Sequence, residues 1–320
     1  MSKQSIGIGF MTPVTPERLR FMAQMGATHV VTHLPADKPR NRDGDIWTFE
    51  GMLAQRKEVE SYGLQLSVYE GIPVPERVKL GRDGRDEDIE NYCESIRNMG
   101  RAGVPILCYN WMVGFGWLRT DFATPARGGA VVTTYRHEDF ERGGPTPLGA
   151  VPEDQLWDSL EYFLKAVVPV AEEAGVRLAL HPEDPPVLES LGQAAHITST
   201  LDQYERVFAL APGRANAMTF CQGCVTEMGE KGRGGSVADA IRRMVAQDKV
   251  CFVHFRAPHP PILPCLLFAS PSRCAAEHRE SLCCRFPPRL SRSVHRRGRG
   301  EYDRDDAGLE RGGVLRRVLP

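Results

Sequence analysis

Short apolar runs alternate with longer amphipathic stretches along the first 256 residues of the chain. The apolar runs are rich in β-branched residues and predict seven strands, within 5–11, 28–35, 64–74, 104–113, 176–182, 216–223 and 249–256. Most of the stretches between them have the spacing of amphipathic helices. The first of these opens with Pro16 and closes at Gly26, and the second closes at Gly63, as is typical of helix ends.

Seven strand–helix alternations predict an α/β fold with a parallel sheet. This many units favours a closed (β/α)8 TIM-type barrel over an open doubly wound sheet, and no G-x-G-x-x-G motif follows the first strand. We therefore predict a barrel over residues 1–256, with a long insertion loop at about 111–152. No eighth strand–helix unit is recognisable after Arg256, so this unit is predicted to be missing or replaced by an aberrant tail.

The composition changes abruptly after Arg256. Residues 257–320 contain 12 Arg and no Lys against 7 Asp and Glu, a net charge of +5. Since the whole chain has a net charge of −1, residues 1–256 have a net charge of −6. The segment also holds four Cys and eight Pro without a regular period. Three interpretations are open: a basic tail that binds nucleic acid or an acidic partner, a disordered extension, or a frameshifted translation. The absence of Lys favours the frameshift, and a nucleic-acid partner is not expected.

The overall composition is that of an ordinary soluble globular protein, with 42% apolar and 25% charged residues. No run of eighteen apolar residues occurs, and the N-terminal sequence lacks the apolar core of a secretory signal. Nine cysteines form no recognisable disulfide framework, which is typical of a reducing compartment. These features predict a cytoplasmic protein without a membrane partner.

The predicted strand ends carry the residues of chemical interest, because a β/α barrel builds its site where strands end and the following loops converge. The ends are His33, Tyr69–Glu70, Tyr109–Asn110, His181–Asp184, Cys221–Gly223 and His254–Arg256. The last three strands thus bring His181, Cys221 and His254 to one rim. Two imidazoles and a thiolate suit Zn, Fe(II), Co or Mn, whereas each residue alone is more often structural.

Two further features have competing interpretations. Cys221 and Cys224 form a C-x-x-C, but Cys224 is expected to begin the next loop, so a redox motif is weakly supported. The segment LCYNWMVGFGWLRTD after the fourth strand leads into about thirty non-periodic residues, typical of a lid or substrate wall. Within it, Arg119 either clamps a substrate carboxylate or is a surface residue paired with Asp121.

Four runs together resemble the mannonate dehydratase family: CYNWMVGFGWLRTD, LALHPEDPP, TFCQG and FVHFR. GIPVPERVKLG after the third strand fits as well, and the resemblance covers about residues 6–256. It implies a TIM-type barrel related to the xylose-isomerase-like enzymes. It also implies conversion of D-mannonate to 2-keto-3-deoxy-D-gluconate and water in hexuronate (glucuronate) catabolism, with Mn2+ or Fe2+, by a homo-oligomer.

The resemblance implies that His181, Cys221 and His254 are metal ligands. The family's fourth ligand is an Asp in an Asp-His pair after strand eight, a region that also supplies acid/base groups. No such pair occurs in this chain, and Asp303, Asp305 and Asp306 lack the surrounding pattern. Catalytic residues are therefore unassigned.

Candidate substrate-binding residues, by their positions near the rim, are Tyr109, Asn110, Arg119, Glu70 and Asp184. Two alternatives remain open for the function. One is a related metal-dependent sugar isomerase or epimerase, and the other is an inactive barrel without its C-terminal catalytic segment.

Overall fold

The computed structural model describes residues 5–9, 14–33, 46–141, 148–187, 190–256, 258 and 314–318. Its strands are β1 Ser5–Gly9, β2 His29–Thr32, β3 Gln65–Glu70, β4 Ile106–Tyr109, β5 Asp121–Pro125, β6 Val131–Thr134, β7 Arg177–Leu180, β8 Asn216–Cys221, β9 Val250–His254 and β10 Val314–Val318. All seven predicted strands are confirmed. They pair in parallel in the order β1-β2-β3-β4-β7-β8-β9, a curled sheet of the α/β class.

The helices are α1 Pro16–Gln24, α2 Phe49–Glu60, α3 Glu76–Lys79, α4 Arg85–Arg101, α5 His137–Glu141, α6 Glu153–Ala174, α7 Leu201–Leu210, α8 Gln222–Glu227, α9 Gly229–Arg233 and α10 Val237–Ala246. Local sequence sets several of their ends. The Thr200 hydroxyl accepts from the backbone of Gln203, whose side chain caps α7 in return, and Ser236 and Asp239 do the same for α10. Gly26 and Gly63 follow α1 and α2 with φ of 77° and 73°, as predicted.

The position between β9 and β1 is occupied by β10, which pairs antiparallel with both neighbours and closes the ring. This differs from the eight parallel strands of a (β/α)8 barrel. The backbone of β10 occupies hydrogen-bonding edges that β1 and β9 would otherwise leave open. Residues 257 and 259–313 of the predicted irregular tail lie outside the described residues, so its interpretation stays a prediction.

The predicted insertion after the fourth strand contains structure of its own. Strands β5 and β6 form an antiparallel pair, joined through a short 3-10 turn at Arg127–Gly129, and α5 follows. The sequence did not predict these elements, because their apolar positions are largely exposed and no burial pattern marks them.

Two buried clusters of side chains lie on opposite faces of the parallel sheet. One lies inside the curl and consists of Val31, Val68, Ile106, Cys108, Ala179, Ala217, Cys251 and Phe252. The other is larger and fills the space between the strands and the helices, with Leu107, Tyr109, Leu178, Leu180, Met218 and Phe220 among its strand residues. Side chains alternate between these faces along each strand, which decides which strand-end residues point into the curl. No helix of the described residues has the length and apolar content needed to cross a membrane.

Candidate metal centre

Strand alternation points the three predicted ligands towards the interior. His181 follows Ala179 by two residues, Cys221 follows Ala217 by four, and both alanines line the inner cluster. A register irregularity on β9 brings Phe252 into the same cluster, so His254, two residues later, also faces inward.

The two imidazoles lie against each other. Nε2 of His181 is 3.2 Å from Nδ1 of His254. The other nitrogen of His181, Nδ1, lies 2.7 Å from the backbone carbonyl of Pro182, an acceptor that places the ring proton on Nδ1. Nε2 of His254 lies 3.6 Å from the Glu70 carboxylate, beyond hydrogen-bond distance. Without a cation the two facing nitrogens are close enough to share one hydrogen bond, and the same separation suits two imidazoles that bind one cation.

Cys221 completes this cluster at the end of β8. Its thiol is 1% exposed and contacts both imidazoles and the thiol of Cys224. Hydrogen bonding from Cys224, together with His181 and His254, holds the pKa of Cys221 well below the ordinary thiol value, although burial alone raises it. One donor atom from each of His181, Cys221 and Cys224 lies within 4.8 Å of the other two. The site therefore favours a thiolate at Cys221.

A partly exposed ion-pair network around buried Asp184 adjoins the cluster. Nη2 of Arg256 is 3.0 Å from Oδ2 of Asp184 and 3.2 Å from Sγ of Cys224, and Nη1 is 2.9 Å from Oε1 of Glu227. The guanidinium passes directly over Gly223, where any Cβ would clash with it. Because this residue is a glycine, Arg256 at the end of β9 can reach the carboxylates of Asp184 and Glu227.

Arg119 pairs with Asp184, and the expectation that it is a surface residue paired with Asp121 is wrong. Its Nη1 lies 2.7 Å from Oδ1 of Asp184, and both side chains are less than a tenth exposed. The guanidinium also lies 4.2 Å from the ring centre of Trp117. Asp184 therefore binds one arginine through each carboxylate oxygen. The structure thus places this predicted substrate-binding residue in internal ion pairs.

Tyr109 does not reach the interior, so its predicted place among the substrate-binding residues is wrong. Cys108 faces the inner cluster, and the next residue of β4 must face the helices, where Tyr109 packs 6.0 Å from the ring of Phe163. The next residue, Asn110, follows the end of β4; it is half-buried, and its side-chain oxygen accepts from the backbone of Met112. Glu70 does approach the cluster, through His254.

Sequence reasoning did not assign three residues of this region to the site: Cys224, Glu227 and Arg256. Cys224 was expected in a loop, but it lies in α8, fully buried beside Cys221. Its spacing of three from Glu227 is that of one helix face, and Arg256 follows His254 by two on the same strand face. These spacings could have indicated that the residues lie together, but only with the knowledge that α8 begins at the end of β8.

The cluster fits a divalent cation on its own geometry. Two imidazole nitrogens bound at about 2.0–2.1 Å to one tetrahedral ion stand about 3.3–3.4 Å apart, close to the observed 3.2 Å. A low-pKa thiolate beside them and a backbone carbonyl on the outer nitrogen of His181 are further features of metal centres.

Fold and site together define an α/β protein whose curled parallel sheet carries imidazole and thiol side chains at the C-terminal ends of its strands. Comparison with known families makes this specific. The D-mannonate dehydratase (UxuA) family matches residues 8–149 and 147–260, and the chain belongs to that family.

Individual relatives agree with this assignment. The chain is 34% identical over 242 residues to a mannonate dehydratase of Streptococcus pneumoniae, covering 67% of this chain and 63% of that one. It is 32% identical over 268 residues to the Streptococcus uberis enzyme, covering 76% and 73%. The crystal structure of mannonate dehydratase from Streptococcus suis serotype 2 superposes with a TM-score of 0.69 at 33% identity, covering 79% of this chain and 73% of that one. This chain therefore spans slightly less than two thirds of the S. pneumoniae relative.

A more distant structure shows the fold alone. D-psicose 3-epimerase from Clostridium cellulolyticum H10, solved with D-tagatose, superposes with a TM-score of 0.50 at 12% identity, over 79% of this chain and 76% of that one. Both structures share the α/β fold of this chain.

Proposed function

We propose that this protein dehydrates D-mannonate to 2-keto-3-deoxy-D-gluconate with a divalent cation, Mn2+ or Fe2+, held by His181, Cys221 and His254. The observation that carries the proposal is the 3.2 Å approach of the two imidazoles, with their outer nitrogens facing Pro182 and Glu70. Family membership names the sugar acid, and the cluster supplies the donors that such a cation needs.

The reaction removes hydrogen from C2 and the hydroxyl group from C3 of the substrate as water, and the resulting enol becomes the 2-keto product. A divalent cation, when bound, stabilises the negative charge that develops next to the substrate carboxylate as the C2 proton leaves.

The chain's own residues orient the donors. The Pro182 carbonyl accepts from Nδ1 of His181, which leaves Nε2 of that ring to face the cation, and Glu70 lies 3.6 Å from Nε2 of His254 on the far side of the second ring. Asn110 and Arg119 are proposed to orient the sugar acid, Arg119 from its fixed position on Asp184. Because residues 1–256 carry a net charge of −6, recognition of an anionic substrate must be local.

The test is turnover of D-mannonate by the full chain, with product measured by chromatography in the presence of Mn2+ or Fe2+ and of a chelator. Cys221→Ala is expected to lose at least a hundredfold of activity, about 2.7 kcal/mol of transition-state stabilisation. Cys93→Ala is the matched control, because it also removes one buried thiol but lies between α4 and α6, away from the cluster.

Two outcomes would overturn the proposal. Turnover that does not depend on a metal would show that no cation takes part in the reaction. Turnover of neutral ketoses in place of D-mannonate would show that the protein is a sugar isomerase or epimerase.

The five described cysteines are free thiols, which supports the proposed cytoplasmic location. We also propose that the enzyme is a homo-oligomer.

A further inference from the structure

We propose that strand β6 pairs edge to edge with β6 of a second copy of this chain, so that two hairpins form one four-stranded antiparallel sheet across a two-fold axis. This contact provides an interface for the homo-oligomer proposed above. It depends on neither the cation nor the substrate, so a test of association is independent of the proposed function. Self-complementary pairing across a two-fold axis is the commonest form of homodimer.

The outer edge of β6 is open within the described part of the chain. The sheet of the hairpin consists there of β5 and β6 alone. The backbone carbonyl of Thr134 accepts from the backbone N–H of Thr120 at 2.9 Å, on the side of β5. Because backbone groups alternate between the two edges of a strand, those of Val131 and Thr133 point away from β5. They form a template on which a further strand can bind.

The two edges of the hairpin differ in how they are protected. Strand β5 has a register irregularity between Asp121 and Thr124 and ends at Pro125. The Asp121 carboxylate also accepts from the backbone N–H of Ala123 at 2.8 Å and from the Thr124 hydroxyl at 2.7 Å. Bulges, prolines and charges are the devices that keep an edge strand from pairing. Residues 130–135, AVVTTY, contain neither a charge nor a proline. The unprotected edge is therefore the one that a partner strand fits.

The side chains of β6 are also exposed. Val131 is 63% exposed and Val132 is 43% exposed. Consecutive residues of a strand point to opposite faces, so an apolar side chain is exposed on each face of the hairpin. A two-stranded hairpin is at best marginally stable by itself, whereas a four-stranded sheet gains cross-strand contacts between β-branched side chains. A second hairpin supplies these contacts on both faces.

A two-fold axis at Val132 gives the open edge its hydrogen bonds. On both sides of this axis, Val131 of one copy pairs with Thr133 of the other, and both residues have outward-pointing backbone groups. Val132 then lies opposite its own copy in a non-hydrogen-bonded pair, where the two Cα atoms stand about 4.5 Å apart. The two valine side chains contact each other across the axis.

Charges at the two ends of β6 complement each other in this register. Arg127 lies four residues before β6, and Glu138 lies four residues after it. Both are exposed, and the ion pair beside them joins Arg136 to Asp139. Antiparallel pairing brings Arg127 of each copy towards Glu138 of the other, whereas parallel pairing would place like charges together. These charges therefore select the antiparallel two-fold arrangement.

Disulfide trapping tests the register. In Val132→Cys the two introduced thiols face each other at a separation that suits a disulfide, so mild oxidation of the full chain should give a covalent dimer. Phe122→Cys is the matched control: it also places a thiol at an exposed position of the hairpin, but copies of residue 122 are three strand spacings, about 14 Å, apart. Non-reducing electrophoresis measures the dimer. No more dimer in Val132→Cys than in Phe122→Cys would overturn the pairing.

Sedimentation equilibrium of the full chain tests the charges. The wild type is expected to dimerise, and Arg127→Glu and Glu138→Arg should each raise the dimer dissociation constant at least tenfold through like-charge contacts. The double variant restores opposite charges and should return the constant to within about threefold of the wild type. A monomeric wild type, or a double variant as weak as the single ones, would overturn the pairing. Circular dichroism shows that each variant is folded, and D-mannonate turnover reports separately on the proposed function.

Discussion

Asp184 binds Arg119 through Oδ1 at 2.7 Å, and its second oxygen, Oδ2, binds Arg256 at 3.0 Å. This carboxylate therefore links the segment after β4 to the end of β9, next to the cluster of imidazoles and thiols. Since Asp184 is only 5% exposed, its charge depends on these arginines for compensation.

Asp184→Asn is predicted to destabilise the protein by about 3–5 kcal/mol, because it leaves buried Arg119 without its anionic partner. Urea denaturation measures the change. Asp248→Asn is the control: Asp248 also binds two arginines, Arg177 and Arg214, but it is largely exposed, so its loss should cost less than about 1 kcal/mol. Equal losses of unfolding free energy in the two variants would show that Arg119 is not left as a buried charge without compensation.

Tyr109→Phe is predicted to leave stability and activity within about 0.5 kcal/mol of the wild type. The Tyr109 hydroxyl is buried and has no hydrogen-bond partner among the described residues, so its removal breaks no contact of that part of the chain. Tyr204→Phe provides the contrast, because its hydroxyl donates to the Leu180 carbonyl at 3.0 Å; its loss should cost about 1–2 kcal/mol. A large loss of D-mannonate turnover in Tyr109→Phe would restore Tyr109 to the site.

Gly100→Ala is predicted to destabilise the contact between α4 and α6. A Cβ at this position would clash with the backbone oxygen of Ala174, which is less able to move than a side chain. Overpacking costs about 1–3 kcal/mol and exceeds the gain of up to about 1 kcal/mol in helix propensity. Gly116→Ala, where no atom lies within 4 Å of the new Cβ, should be neutral in the same thermal melts. Stabilisation by Gly100→Ala would show that the backbone of α6 can move enough to accommodate the new Cβ.

Native-state alkylation tests whether the two thiols inside the curl are shielded from solvent. Burial raises the pKa of Cys108 and of Cys251 to about 12 each, so both remain protonated at pH 8. We predict that neither is modified by iodoacetamide in the folded protein and that both react after denaturation. Mass spectrometry of the peptides measures this directly. Rapid modification of Cys251 before unfolding would mean that the inner cluster opens to solvent.

The strands and the positions of His181, Cys221 and His254 could be predicted from sequence because each depends on local pattern. Period-two burial and the position of a residue at a strand end were enough to bring these three residues together; their role as ligands stays a prediction. Tyr109 failed because a position at a strand end does not say which face the side chain takes; the preceding residue, Cys108, faces inward instead. The ion pairs of Asp184 could not be predicted, since they join Arg119 and Arg256 from segments far apart in the chain.

The β5–β6 hairpin and the antiparallel β10 were also missed. The hairpin lies on the surface, so burial imposes no apolar period on its sequence. The pairing of β10 with β1 joins the two ends of the chain, and no local signal in a segment rich in arginine and proline indicates its partner.

Isothermal titration of Mn2+ into the metal-free protein tests the central claim most directly. The account predicts one ion per chain for the wild type and loss of binding by at least a hundredfold in His254→Ala, which removes one of the two imidazoles that stand 3.2 Å apart. His137→Ala, which removes an imidazole from the short helix α5, should bind like the wild type. Undiminished binding in His254→Ala would contradict the account, because the facing imidazoles would then not be what holds the cation.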